Sequence, residues 1–143
     1  MRGVLCTKKT YRHNMKELFK KVGEFNTAMQ ISENKRFGAL PSPAESQLSF
    51  NLIQEELQEY NLAMKEYNRV EVADGLIDML YLVIGAMRRH GLSESKAMEL
   101  FNEVHASNMS KVLPCGSVIK RADGKVLKPE GYFKPNLIPI LDK

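Results

Sequence analysis

The sequence predicts an all-α protein: an antiparallel bundle of four main helices with a short C-terminal β-hairpin, assembled as an oligomer. Three observations predict it. Helix-start signals recur at Asn14, Ser42, Asn68 and Ser93, and the first three have a Glu three positions on, at Glu17, Glu45 and Glu71, which is the spacing of a capping box. Helical rather than alternating periodicity persists to about residue 110. The third helix is apolar on nearly every face, as a helix buried on all sides would be. A four-helix domain hides such a helix only barely, whereas a partner subunit hides it readily.

Taken in order, the first helix runs from Asn14 with Leu18, Val22, Phe25 and Met29 as its apolar positions. A loop from Ser32 to Pro41 separates it from the second, which opens at Ser42 with Pro43 at its first position, where proline is favoured. The third opens at Asn68 and stops near His90-Gly91, and the fourth runs from Ser93 through Ala97, Leu100, Phe101 and Val104 to about Asn108. His105 and Asn108 share a side with Met98 and Phe101, and that side is expected to be the buried one. After Pro114 the pattern changes. Val118 to Arg121 and Val126 to Lys128 flank Asp123-Gly124, a turn dipeptide that predicts the hairpin. The tail from Pro129 to Pro139 is expected to lie along the bundle. The whole of 1–143 reads as one domain, with a helical core at about 14–110 and the hairpin and tail at 112–143.

Length and composition agree with this reading. At 143 residues and 43% hydrophobic the chain suits one compact domain with a real core. Two cysteines, Cys6 and Cys115, are too few for a disulfide scaffold and predict free thiols in a reducing compartment. Met1 to Lys9 lacks a signal-peptide core. The longest apolar run, Leu76 to Met87, is interrupted by Asp78 and is too short to span a bilayer. These features predict a soluble, cytoplasmic protein with no membrane partner. The net charge of +4 is segregated. Residues 1–21 carry seven Lys/Arg against Glu17 alone, residues 22–108 carry thirteen acids against seven bases, and residues 109–143 carry seven bases against three acids. A basic shell around an acidic middle suits nucleic acid or a polyphosphate held between metal ions and cations. No aromatic-interleaved basic face or reading helix supports a non-enzymatic helical module for nucleic acid.

The acidic middle concentrates in Glu55-Glu56-Leu57-Gln58-Glu59 and in Glu71, Asp74 and Asp78. Within each group, spacings of three and four place the acids on one arc of a helix. Folding the chain about residue 67 brings Glu56 opposite Asp78 and Glu59 opposite position 75. Asp is a poor mid-helix residue, and Asp74 and Asp78 stand among apolar neighbours, where carboxylates call for a compensating cation. The predicted occupant is Mg²⁺, with Mn²⁺ a possible substitute, because Mg²⁺ takes carboxylate oxygens, keeps waters and completes its shell with substrate phosphates. Glu71 has a second reading as the capping-box partner of Asn68. Gly75 and Gly85 share the acidic stripe, for ligand approach or for close helix packing. Asn108 and Lys111, just past the fourth helix, suit phosphate or sugar, and Lys120, Arg121, Lys125 and Lys128 are cations that would close over a polyphosphate, from the same or a neighbouring subunit.

The pattern Glu55-Glu56-x-x-Glu59, eleven residues, Glu71-x-x-Asp74 resembles the signature of the all-α nucleoside triphosphate pyrophosphohydrolases, the superfamily of MazG, the dimeric dUTPases and phosphoribosyl-ATP pyrophosphohydrolase. Phe25-Asn26, Asp74-Gly-Leu-Ile-Asp78-Met-Leu-Tyr81, Glu103-Val-His105-Ala-Ser-Asn108-Met-Ser-Lys111 and Asp123-Gly-Lys125 to Lys128-Pro129 are similar to compact MazG-like proteins. The resemblance implies a hydrolase of phosphoanhydride bonds that cleaves a (deoxy)nucleoside triphosphate to monophosphate and pyrophosphate, in house-cleaning or pool control, as a homodimer or homotetramer. It implies Glu56, Glu59, Glu71 and Asp74 as Mg²⁺ ligands, and Glu55 as the residue that orients or deprotonates water or helps hold a second ion. Asp78 would support the site or contact the nucleoside. Asn26 stands where some relatives carry His, which leaves the nucleoside preference open. Phosphoribosyl-ATP and dUTPase-type hydrolysis are the alternatives, the former ranked lower because the hairpin and the Asn-Met-Ser-Lys stretch resemble the MazG-like branch.

Overall fold

The computed structural model describes residues 14–38 and 40–143. Cys6 and the basic residues before Asn14 lie outside the described residues. Five helices follow in order: α1 Asn14–Ala28, α2 Pro43–Lys65, α3 Arg69–Arg89, α4 Glu94–Met109 and the single turn α5 Ile138–Leu141. Contacts divide the chain into two compact units, one ending at Glu94 and the other running from Ser95 to Lys143.

In the first unit α3 packs on both α2 and α1. Two of the start signals, Ser42 and Asn68, are seen at work; the Asn14 side chain lies outside the described residues. Ser42 caps α2 in a full capping box: the Glu45 N–H donates to Ser42 Oγ at 3.2 Å and the Ser42 N–H to Glu45 Oε2 at 3.0 Å. Asn68 Oδ1 accepts from the Val70 and Glu71 N–H groups at 3.2 and 3.3 Å to cap α3. Such caps satisfy orphan donors and contribute about 1 kcal/mol each. The three-residue turn Glu66-Tyr67-Asn68 joins α2 to α3, with Tyr67 at φ 55°.

α1 meets α3 on a face that shares Val22 with the expected one but is turned away from its other three positions. Phe19, Val22 and Asn26 are buried, while Leu18, Phe25 and Met29 are exposed. Two apolar stripes compete on this helix, and Phe19-Val22-Gly23 wins because Gly23 lets Arg88 of α3 come against the helix; a Cβ there would strike the guanidinium. Phe25 stays at the margin, edge-on to Tyr81 with ring centroids 5.6 Å apart. Nor is α3 covered on all sides: only Gly75 and Ile84 are buried, and Leu76, Ile77 and Leu80 are exposed in the single chain.

Arg88 and Arg89 tie the 31–42 loop to the end of α3. Arg88 grips Glu33 through Nε at 2.6 Å and Nη2 at 2.8 Å and donates to the Phe19 carbonyl at 3.0 Å. Arg89 donates to the Glu45 carbonyl at 3.3 Å and Ser49 Oγ at 3.2 Å, and Asn34 Nδ2 donates to the Arg89 carbonyl at 2.7 Å. Gly91, at φ +78°, passes directly beneath the Arg36 carbonyl, where any Cβ would collide with backbone.

In the second unit the tail lies along α4. The Phe133 carbonyl accepts from Ser107 Oγ at 2.8 Å, the Phe133 N–H donates to Ser110 Oγ at 3.2 Å, and the Asn136 N–H donates to Glu103 Oε1 at 2.8 Å. The tail therefore selects the face with Ala97 and Ser107 as the buried one. Met98, Phe101, His105 and Asn108 are exposed instead, which corrects the expected orientation of α4. The β-hairpin also requires correction. Residues 119–127 turn back through Asp123-Gly124, but a single antiparallel bridge, Lys120 to Val126, is all that forms, and no strand occurs among the described residues. A two-stranded ribbon with no third strand or packed face is marginal in water. Here Asp123 instead binds Arg121 and accepts from the Lys125 N–H.

Candidate active site

Glu55, Glu56 and Glu59 project from α2, and Asp74 and Asp78 from the facing stretch of α3. Two observations set the register between these helices. Gly75 lies against Tyr60, and Arg89 reaches the Glu45 carbonyl at the other end of the pair. The pairs centre within half a residue of 67, so the expected fold point holds over most of the length of α2. It brings Glu56 into the field of four other carboxylates. Partial burial first, then the charges of Glu59, Asp78, Glu55 and Asp74, push the Glu56 carboxyl above its ordinary value. Loss of solvent and nearby like charges both disfavour ionisation, and the like charges here are four carboxylates gathered from two helices.

The predicted acids do not all converge. Glu71 sits in the first turn of α3 and is exposed, and its charge is not among those acting on Glu56. Its backbone N–H donates to the Asn68 cap at 3.3 Å, but the Asn68 N–H bonds to the Ala63 carbonyl, so the expected capping box is not closed by the Glu71 side chain. Among the described residues no three carboxylate, imidazole or thiol side chains are arranged to hold a metal ion as they stand. The donors nevertheless suit a hard divalent cation. All are carboxylate oxygens, they crowd one another electrostatically, and Mg²⁺ uses one or two such groups together with water and phosphate. Glu55, Glu59 and Asp74 are exposed, and Glu56 and Asp78 half-buried, so a ligand can reach all five.

Asn26 is buried, and its amide donates to Glu33 Oε1 at 2.8 Å, which builds it into the Arg88–Glu33 latch. Of the two glycines on the acidic stripe, Gly75 is accounted for by close packing, because an added Cβ would stand 3.3 Å from Tyr60 Cβ. An added Cβ at Gly85 would stand 3.9 Å from Val22 Cγ1, ordinary contact.

In the second unit, Lys111 Nζ donates to Asn108 Oδ1 at 2.7 Å, so these two predicted residues do act together. Lys125 remains in the exposed 121–125 turn. The residues that join Lys111 are Lys128 and Tyr132, whose ring lies 5.9 Å from Lys111 Nζ and 4.8 Å from Lys128 Nζ. Sequence reasoning put Lys128 among four interchangeable cations and passed over Tyr132. The available signal was Pro129-Glu130-Gly131, which predicts a turn that carries Tyr132 back beside Lys128; the Tyr132 N–H donates to the Pro129 carbonyl at 3.0 Å. Cys115 is an exposed free thiol, 3.0 Å from Ser117 Oγ, and no described helix is long and apolar enough to cross a membrane.

No curated protein matches the chain significantly. Residues 22–108, from the middle of α1 almost to the end of α4, match the sequence model of the family described as phosphoribosyl-ATP pyrophosphohydrolase. With that match over more than half of its length, the chain belongs to the phosphoribosyl-ATP pyrophosphohydrolase family, hydrolases acting on phosphoanhydride bonds.

Proposed function

We propose that this protein is a Mg²⁺-dependent nucleotide pyrophosphohydrolase that cleaves a (deoxy)nucleoside triphosphate to the monophosphate and pyrophosphate. The observation that carries the reading is the gathering of Glu55, Glu59, Asp74 and Asp78 around Glu56 on two facing helices; partial burial first, then these four charges, push the Glu56 carboxyl upward. A fold gains nothing from such crowding unless a cation relieves it, and nucleotide phosphates bring one. Glu56, Glu59 and Asp74 are the proposed ligands, with Glu71 joining from the first turn of α3. An ion held there would supply charge neutralisation of the phosphate chain and Lewis-acid polarisation at the phosphorus.

The rest of the chemistry falls to the chain itself. Glu55, next to the ligating Glu56, orients the attacking water and takes its proton. Asp78 supports the acids or meets the nucleoside. Asn108, Lys111 and Lys125 are proposed phosphate contacts in the second unit, and Asn26 acts on the nucleoside end through the loop it braces. The exposed Leu76, Ile77 and Leu80 of α3 support a homodimer or homotetramer, since a second subunit would cover them.

Phosphoribosyl-ATP is the second reading, favoured by the description of the family whose model matches. The hairpin that ranked it lower does not form as strands, and both substrates present the same phosphoanhydride chemistry. One experiment separates the readings: pyrophosphate release, with Mg²⁺, from a panel of common and modified nucleoside triphosphates and from phosphoribosyl-ATP. Glu56→Ala and Asp74→Ala are expected to abolish turnover while leaving the helical circular dichroism intact. A panel with no turnover in Mg²⁺ or Mn²⁺, or a Glu56→Ala enzyme of normal rate, would overturn the proposal.

A further inference from the structure

We propose that Lys111, Lys128 and Tyr132 form an anion clamp in the second unit, built to take a phosphate group of a polyphosphate, with Tyr132 positioning the two lysines. It rests on the proposed function only for the identity of the anion. Lys111 comes from the end of α4 and Lys128 from seventeen residues further along the chain, yet both ammonium groups stand over one ring. Neither belongs to an ion pair among the described residues; the pairs in this unit are Arg121–Asp123 and Lys143–Glu99. Glu130, two residues from both Lys128 and Tyr132, pairs with neither.

Surface lysines in water ordinarily diverge, because like charges repel and each head group is strongly hydrated. Here fixed partners hold them together. Asn108 Oδ1 accepts from Lys111 Nζ at 2.7 Å, and the ring attracts both cations through its negative face. The ring itself is held in place, since Phe133, the next residue, is hydrogen-bonded through its N–H to Ser110 and its carbonyl to Ser107 on α4. The result is two point charges held on one tyrosine ring, a pair suited to the oxygens of a phosphate group. The electrostatics agree. Hydrogen bonding with Ser107, then the charges of Lys128 and Lys111, hold the Tyr132 phenol below its ordinary value. An anion in the clamp would cancel that positive field, so the phenol reports occupancy.

The test uses the full chain labelled with ¹³Cζ-tyrosine, the Tyr132 signal being assigned by its loss in Tyr132→Phe. Its titration is followed with and without pyrophosphate in metal-free buffer. Pyrophosphate is expected to move the Tyr132 midpoint upward. Lys128→Met is expected to raise the midpoint without any anion and to weaken pyrophosphate binding about tenfold or more. In steady-state hydrolysis, Tyr132→Leu is expected to raise KM and leave kcat nearly unchanged. A midpoint indifferent to millimolar pyrophosphate, or wild-type pyrophosphate affinity in Lys128→Met, overturns the clamp. If no nucleotide is hydrolysed but pyrophosphate still moves Tyr132, the clamp stands and the proposed function falls. If hydrolysis proceeds with an unchanged KM in Lys128→Met and pyrophosphate leaves Tyr132 unmoved, the clamp falls and the function stands.

Discussion

Gly75 of α3 lies against the backbone of Tyr60 on α2: an added Cβ would stand 3.3 Å from the Tyr60 Cβ and 3.4 Å from its Cα and N. This close approach fixes where α3 meets α2, one residue beyond Asp74 and one beyond Glu59. The spacing of the acids is therefore controlled by a hydrogen atom where any other residue would place a methyl or more.

Gly75→Ala sets two effects against each other. Alanine gains about 1 kcal/mol of helix propensity over glycine, while overpacking costs about 1–3 kcal/mol. The Tyr60 backbone has no flexible end that can swing aside. The expected result is a destabilisation of about 1 kcal/mol and a loss of activity larger than stability explains, since the helices carrying the acids are spread. Gly85→Ala meets only ordinary contact with Val22 and is expected to stabilise by up to about 1 kcal/mol with activity retained. Urea melts and rates for both variants check this, and a Gly75→Ala protein behaving like Gly85→Ala would contradict it.

Glu56 supplies a pH signature. Its folded carboxyl lies above the ordinary 4.5 through burial and the charges of Glu59, Asp78, Glu55 and Asp74, so the folded state holds this proton more tightly than the unfolded chain. Stability is therefore lost as pH rises from 4.5 through the folded value. Without metal, Glu56→Gln is expected to melt higher than wild type at pH 7, and the difference should vanish toward pH 4. Mg²⁺ should raise the melting temperature of wild type more than that of Glu56→Gln, while activity falls by more than about a hundredfold. Melting curves with EDTA and with Mg²⁺ at pH 4 and 7 measure all but the rate; equal stabilisation of both proteins by Mg²⁺ would count against Glu56 as a ligand.

The Arg88–Glu33 latch has the opposite sign. Burial alone would push Glu33 up, but hydrogen bonds from Arg88 and Asn26 and the Arg88 charge bring it below 4.5. Its contribution is complete above 4.5 and is lost as pH falls through the folded value. Arg88→Ala leaves Glu33 without its bidentate partner and the Phe19 carbonyl without its donor, a cost of about 2 kcal/mol. Glu33→Gln should cost less and should flatten the acid limb of the stability curve. Denaturation between pH 3 and 7 tests the pair, and an unchanged acid limb in Glu33→Gln would remove the latch as its source.

The sequence by itself determined the helices, their caps and the α2–α3 register, because those depend on neighbours three and four residues apart. Ser42 with Glu45 and Asn68 with Val70 and Glu71 are local bonds, and a three-residue turn leaves the following helix little freedom to slide. The clustering of Glu55, Glu56, Glu59, Asp74 and Asp78 followed from that register. Tertiary structure decided which face each helix buries. α1 carries two apolar stripes, and only Arg88 seated over Gly23 selects Phe19 and Val22. α4 is selected by a tail bonded to it across 23 to 33 residues of chain, and the same tail brings Tyr132 to Lys111. Chain-distant pairings of this kind have no periodicity to announce them. The hairpin was lost for the converse reason: Asp123-Gly124 directs a turn locally, but strands need a partner surface, and the single bridge Lys120 to Val126 is not extended into strands.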